Sequence, residues 1–149
     1  MSQNEVSVYD DHGVCFRYPE DWEVEVSDEG DITTVALQAP DGLAFALVTV
    51  DESRPAPATV ADEVLEVMRE EYPTLEASPA LETIGGHPAV GHDVEFISLD
   101  MTNACAIRCF RTARRTVLVF GQWSDIEDEE TSDGITAVRR SLAESETHE

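Results

Sequence analysis

The segment Thr116–Ser124 is apolar on both of its faces, and this constrains the possible folds more than any other feature of the chain. Val117, Val119 and Trp123 alternate along it with Leu118 and Phe120. Successive side chains of a strand point to opposite sides of a sheet. A strand with two apolar faces must therefore be covered on both sides. The segment predicts a β-strand in a sheet that carries a packing layer on each face.

Period-two alternation and turn residues predict further strands. Pro40-Asp41-Gly42 is typical of a hairpin turn, Gly85-Gly86-His87-Pro88 turns the chain again, and Pro79 favours an edge position for its strand. The predicted strands cover residues 6–9, 14–18, 22–26, 32–39, 43–50, 75–84, 89–99, 104–112 and 116–124. Their short connections predict antiparallel pairing.

One of these turns sets the expected pairing of two long strands. With Met101-Thr102 as a two-residue loop, Glu95 lies opposite Arg108 and His92 lies opposite Arg111. The first pair would form a salt bridge across the strands. The second would place a histidine beside an arginine on a mostly apolar surface.

Two amphipathic segments predict helices. Thr59 is the expected N-cap of the first, which ends at Pro73. The second opens with the acidic residues 125–133, a favourable charge for a helix N-terminus, and its apolar stripe is Ile135, Val138 and Leu142. The predicted fold is α+β, an antiparallel sheet with helices on both faces. We expect one domain over residues 1–149, frayed from Ser145 onward.

The segment Gly13-Val14-Cys15-Phe16-Arg17-Tyr18-Pro19-Glu20-Asp21-Trp22 resembles the opening of the PsbP-like superfamily. In this pattern the proline ends strand pairing and the tryptophan folds back as an apolar plug. Gly85-Gly86-His87-Pro88-Ala89 resembles the glycine turn of such domains, and residues 135–142 resemble their closing helix. The resemblance implies an α/β/α sandwich and a binding role without catalysis. No residue matches a dedicated photosystem II or Ran contact.

The net charge of the chain indicates the salt concentration of the solvent in which it folds. It has no lysine, 32 acidic residues and a formal net charge of −23. Such a surface repels itself in dilute buffer, but in molar salt the Debye length falls to about 3 Å. The composition resembles that of proteins from salt-accumulating halophilic archaea. We therefore expect a cytoplasm at very high salt.

The same charge limits the expected partners. No basic stripe is available to replace the counterions of a nucleic acid, and an anionic membrane would be repelled. No apolar run approaches the roughly 20 residues of a membrane span. The polar, acidic residues 1–11 predict no secretory signal. Localisation in the cytoplasm follows as an expectation.

Candidate chemistry is sparse. Cys105 and Cys109 are four residues apart, which in a strand is about 13 Å and too far for one zinc ion or a disulfide. Cys15 with His12 is a weak candidate for a nucleophile and base, and Asp93 with Glu95 for acid–base work. The acidic run of Asp125 and residues 127–130 lacks the glycine and spacing of a calcium loop. We expect no catalytic residue, no metal and no cofactor.

Two functions remain. The first is a non-enzymatic interaction module that docks a protein partner or a second copy of itself. The alternative is a small-ligand carrier, or an enzyme, with a pocket between the sheet and the first helix near His92 and Arg111. A concave pocket that held both residues would favour the alternative.

Overall fold

The computed structural model describes residues 5–40, 42–126 and 129–145. In chain order the strands are β1 (Val6–Asp11), β2 (Val14–Pro19), β3 (Glu23–Glu29), β4 (Ile32–Gln38), β5 (Phe45–Asp51), β6 (Glu76–Ile84), β7 (His87–Ser98), β8 (Met101–Arg111), β9 (Thr116–Ser124) and β10 (Ala143–Glu144). Helix α1 (Pro57–Glu71) lies between β5 and β6, and helix α2 (Glu129–Ser141) follows β9. The fold is therefore mostly antiparallel β-structure with two helices.

The strands form two sheets. Seven strands pair in the order β3-β4-β5-β9-β8-β7-β6, and a small sheet has the order β1-β2-β10. The edge position predicted for the strand that contains Pro79 is confirmed, because β6 ends the larger sheet. The predicted hairpin joins β4 to β5, with the amide of Gly42 hydrogen bonded to the carbonyl of Ala39; Asp41 of that turn lies outside the described residues.

Alternate residues of β8 and β9 belong to two different hydrophobic clusters. Cys105, Ile107 and Cys109 of β8 pack with Ala61, Leu65 and Met68 of α1. Phe110, Val117 and Val119 pack with Ile135 and Val138 of α2 and with Phe16 and Trp22. The apolar residues on both sides of β9 are thus covered, as the alternation along it predicted.

The expected N-cap of α1 is wrong. The helix begins two residues before Thr59, at Pro57, and the capping position is Ala56, which makes no side-chain cap hydrogen bond. Proline fits the first helical position because its φ is already helical and its missing N–H would have no partner there. The helix closes with a hydrogen bond of 2.7 Å from the amide of Tyr72 to the carbonyl of Met68.

The expected register of β7 and β8 is also wrong. Their two-residue loop is Leu99-Asp100, with both residues at positive φ (55° and 62°), and not Met101-Thr102. Gly85-Gly86 makes the same kind of turn between β6 and β7. At that turn the glycines, which readily adopt positive φ, indicate the turn in the sequence. Moving the loop by two residues shifts the pairing by four, so that Glu95 lies opposite Ala104 and Arg108 opposite Gly91. An even shift leaves every side chain on its predicted face.

Helix α1 has 15 residues and α2 has 13. In the part of the chain that the structure describes, neither is long and apolar enough to cross a membrane.

Candidate functional site

An apolar surface lies at the end of the β7–β8 hairpin. Ile97 is 73% exposed, Leu99 is 85% exposed and Ile126 is 63% exposed. Thr102 connects them, since it pairs with Ile97 across the hairpin and its carbonyl accepts a hydrogen bond of 2.9 Å from the amide of Asp125, next to Ile126. We call Ile97, Leu99 and Ile126 the hairpin-tip patch. These backbone contacts place the three positions at the same end of the larger sheet. Exposed aliphatic side chains that cluster on a surface are typical of an interaction site.

His92 lies in a groove between α1 and the β6–β7 strands. Its Nε2 is 2.9 Å from Oδ1 of Asp62 on α1. The groove has a volume of about 340 Å³, and its rim includes the exposed side chain of Leu81. His92 therefore lies between the larger sheet and α1.

Arg111 lies elsewhere. His92 pairs with Ile107, four residues from Arg111 and so about 13 Å along β8. Nη1 of Arg111 donates to the carbonyl of Arg54, in the loop before α1, at 3.1 Å. The predicted adjacency of His92 and Arg111 is therefore wrong, because it depended on the incorrect register. A ligand-binding role for either residue stays a prediction.

Arg108 is the buried centre of an ion-pair cluster on the opposite face of β8. Its side chain is 7% exposed, and its Nε lies 2.7 Å from Oε1 of Glu82. Its Nη2 lies 2.9 Å from Oδ1 of Asp93, and its Nη1 donates to the carbonyls of His92 and Ile107. The expected Glu95–Arg108 bridge is thus replaced by pairs with Glu82 and Asp93.

Arg139 of α2 joins this cluster from above the sheet. Its Nε contacts Oε1 of Glu82 at 3.1 Å, and its side chain is 13% exposed. Burial is the main cause that lowers the pKa of Arg139, and Glu82 acts in the opposite direction. A cavity of about 550 Å³ lies beside the cluster, between α2 and the β6–β9 strands.

Sequence reasoning missed Arg139, although a signal was present. The residue is four positions after Ile135 and three before Leu142, both buried. Residues at these spacings share one side of a helix, so the spacing already pointed the Arg139 side chain toward the sheet.

Two of the cysteine candidates, Cys105 and Cys109, are buried in the larger sheet. Burial raises the pKa of Cys105 and of Cys109 to about 12, so both are neutral thiols at physiological pH. His12 shares a hydrogen bond of 2.6 Å with the hydroxyl of Tyr9. Among the described residues, no group of three or more His, Cys, Asp or Glu side chains could hold a metal. In the acidic run, residues 127–128 lie outside the described residues.

Comparisons with known proteins identify the fold and no family. No family model matches the chain, and no curated protein matches its sequence. Cyanobacterial PsbP (CyanoP) from Synechocystis has a similar structure with a TM-score of 0.62 and 14% identity over 97% of this chain and 95% of that one. LpqN, described as involved in cell envelope biogenesis of Mycobacterium tuberculosis, gives 0.51 and 13% identity over 96% and 91%.

A protein from Bacteroides thetaiotaomicron is similar with a TM-score of 0.60 and 13% identity. The match covers 99% of this chain, which spans about half (51%) of the length of that protein. Identities this low show a shared fold alone. The predicted resemblance to PsbP-like structures is confirmed at the level of the fold.

Proposed function

We propose that this protein is a non-enzymatic binding module that docks a protein partner through the hairpin-tip patch. The exposure of Leu99 (85%) at the turn of a long hairpin supports the proposal. Burying such a side chain against a partner contributes about 1.5–3 kcal/mol. The surrounding charge favours a partner with an apolar pocket and a basic rim, since Asp100 and Asp125 flank the patch and the chain carries a net charge of −23.

The fold and setting that we infer agree with this role. Side chains of β8 and β9 alternate between the hydrophobic cluster that includes α1 and the one that includes α2. This alternation supports a PsbP-like sandwich with helices on both faces of the larger sheet. The composition supports a halophilic archaeal cytoplasm, where nucleic acids and anionic membranes are poor partners. The similarity to CyanoP and LpqN, neither described as an enzyme, fits a module without catalysis.

Affinity capture with a matched control tests the proposal. Three baits are used: the wild type, the double variant Leu99→Asp/Ile97→Ser, and a control variant Leu81→Asp. Leu81 is another largely exposed leucine (74%), on β6. We expect a stoichiometric partner, captured in concentrated potassium chloride, to bind the wild type and the control but not the double variant. Equal capture by all three baits would contradict the proposed surface. A wild-type dimer in light scattering that the double variant abolishes would make the partner a second copy of the chain.

The alternative, a ligand pocket near His92 and Arg111, now rests on the His92 groove alone. His92 pairs with the exposed Asp62 there, and Arg111 is not among the described residues that line this groove. The apolar tip is the stronger basis for a function. We therefore keep protein docking as the proposed function.

A further inference from the structure

A further groove, with a volume of about 670 Å³, lies between the small sheet and α2. Val8 and Arg17, which pair across β1 and β2, line one wall, and Ala137 and Arg140 of α2 line the other. We call this the arginine groove. Val8 is 64% exposed, so the groove offers an apolar surface that is open to solvent.

The arginine groove carries positive charge in a strongly negative chain. Among the described residues that line it, the charged ones are Arg17 and Arg140, whereas the His92 groove and the cavity beside Arg108 have carboxylates in their linings. In the described part of the chain, neither of the two groove arginines forms an ion pair. The groove therefore favours an occupant that is apolar at its centre and acidic at its edges.

The hairpin-tip patch has this complementary character. Leu99 lies in the turn of a long hairpin, and the exposed residues Asp100 and Asp125 flank the patch. Neither of these carboxylates forms an ion pair within the described ranges. An apolar cavity of about 150 Å³ already holds a benzene-sized group. The arginine groove is several times larger and has room for the side chains of Leu99 and Ile97 together.

The two surfaces lie at opposite ends of the molecule. A Cβ atom built on Gly85, in the turn before β7, would lie 3.0 Å from Cα of Ala143. Ala143 pairs with Cys15, which also lines the arginine groove. Leu99 follows the other end of β7, a strand of 12 residues that spans about 35–40 Å. The tip therefore cannot enter the groove of its own chain, and the complementary groove that it can reach belongs to another copy.

We propose that the partner of the hairpin-tip patch is a second copy of this chain, whose arginine groove receives Leu99 and Ile97. The carboxylates beside the tip then face the two guanidinium groups of the groove. This inference rests on the proposed docking function and names its partner. Because the contact joins two different surfaces, each pair of copies keeps one open tip and one open groove, and further copies can add head to tail.

Concentrated salt should promote this association. Two chains that each carry a net charge of −23 repel each other in dilute buffer, and two arginines offset only a small part of that repulsion. Salt screens the repulsion between exposed charges and leaves the apolar contact in place. We therefore expect larger species in sedimentation as the concentrations of potassium chloride and of protein rise.

Analytical ultracentrifugation of two complementary variants in concentrated potassium chloride tests the proposal. The tip variant, Leu99→Asp/Ile97→Ser, keeps an intact groove. The groove variant, Val8→Asp/Arg140→Gln, keeps an intact tip. Each alone should self-associate at least about tenfold more weakly than the wild type, because it loses buried aliphatic surface. An equimolar mixture should form a dimer of one copy of each, which cannot grow further.

A matched control carries Val67→Asp/Arg69→Gln, at two exposed positions of α1 outside the groove, and should associate as the wild type does. If the groove variant loses its native circular dichroism, Arg140→Gln alone replaces it, since that side chain is exposed. A wild type that stays monomeric at every concentration would overturn the proposal. A mixture that stays monomeric under conditions where the wild type associates would also overturn it.

Failure of this inference is distinguishable from failure of the docking function. Capture of another protein that the tip variant loses, with a chain that stays monomeric, would exclude the second copy and leave docking through the tip in place. Binding of every partner, the second copy included, that the tip variant does not weaken would contradict both. Loss of another protein in the groove variant alone would assign the arginine groove to that protein and overturn the inference.

Discussion

Trp22, near the start of the chain, packs closely against the last helix, α2, at Gly134. Trp22 is 6% exposed. A Cβ atom built on Gly134 of α2 would lie 2.8 Å from Cζ2 of Trp22 and 2.9 Å from Cγ of Pro19. Such distances are shorter than van der Waals contact, so only glycine lets α2 approach the indole this closely. The tryptophan expected to plug the sheet also fixes the position of α2.

Trp22→Ala should destabilise the protein by roughly 3–5 kcal/mol, since it removes a buried indole and leaves a cavity. The free energy of unfolding from urea titration measures the change. Trp123→Ala is the control, because that ring is only partly buried and its loss should cost clearly less. Equal effects of the two substitutions would contradict the role given to Trp22.

The buried thiols give the stability a defined dependence on alkaline pH. Burial raises the pKa of Cys105 and of Cys109 from 9.0 to about 12. Below pH 9 both thiols are neutral in the folded and unfolded chains, and their contribution to stability is complete. Above it the unfolded chain loses protons that the folded chain keeps, so unfolding is favoured increasingly up to pH about 12.

Urea titrations between pH 8 and 10 should therefore show a falling free energy of unfolding. The double variant Cys105→Ala/Cys109→Ala is the matched control, and its decline should be shallower over that range. Higher pH is avoided because tyrosines then ionise as well. A decline of the same slope in both proteins would show that the thiols are not its cause.

Strand β10 helps to connect the small sheet to the larger one. It pairs with β2, and Oε2 of Glu144 accepts a hydrogen bond of 2.6 Å from Nη1 of Arg115 in the β8–β9 loop. Nη1 of Arg115 also donates to the carbonyl of Gly13, in the β1–β2 turn. One buried guanidinium thus connects three segments that are distant in the sequence.

Glu144→Ala should cost roughly 3–5 kcal/mol, because it leaves the guanidinium of Arg115, with a side chain only 9% exposed, buried without its counter-charge. Denaturant titration measures the loss. Glu66→Ala, on the exposed side of α1, should change stability by no more than about 0.5 kcal/mol. If the two variants were equally stable, the contact would not hold the small sheet in place.

At the scale of the whole molecule, net charge dominates the response to solvent. Folding brings 32 acidic side chains together against nine arginines, and several arginines are already paired inside the fold. The outer strand β3 illustrates the result, since Glu23, Glu25 and Glu29 are all exposed on an edge of the sheet. These charges oppose edge-to-edge association and repel one another when salt is low.

The melting temperature should rise as potassium chloride increases from dilute buffer to molar concentrations. Each kcal/mol of repulsion that is screened adds about 2–4 °C for a chain of this length. Circular dichroism follows the transition at neutral pH. A triple variant, Glu23→Gln, Glu25→Gln and Glu29→Gln, should need less salt for the same stability. A melting temperature that does not change with salt would contradict the halophilic interpretation.

Local patterns predicted most of the elements and which face each side chain occupies. Alternation in β9, the glycines at positions 85 and 86, and the spacing of Ile135 and Val138 act over a few residues, and their effects depend on backbone geometry alone. The even shift in the β7–β8 register left the faces intact for the same reason. The hairpin-tip patch and the His92–Arg111 separation were not predictable, because they depend on where that hairpin turns.

The sequence by itself determined an antiparallel α+β fold, a two-sided core around β9 and a strongly acidic surface, since composition and periodicity are local properties of the chain. Only the tertiary structure decided the partners of Arg108, Arg115 and Arg139. Each of these arginines pairs with a carboxylate at least 26 positions away in the sequence. Many carboxylates could serve as partners in a chain this acidic, and the packing of helix on sheet selects which one lies within reach.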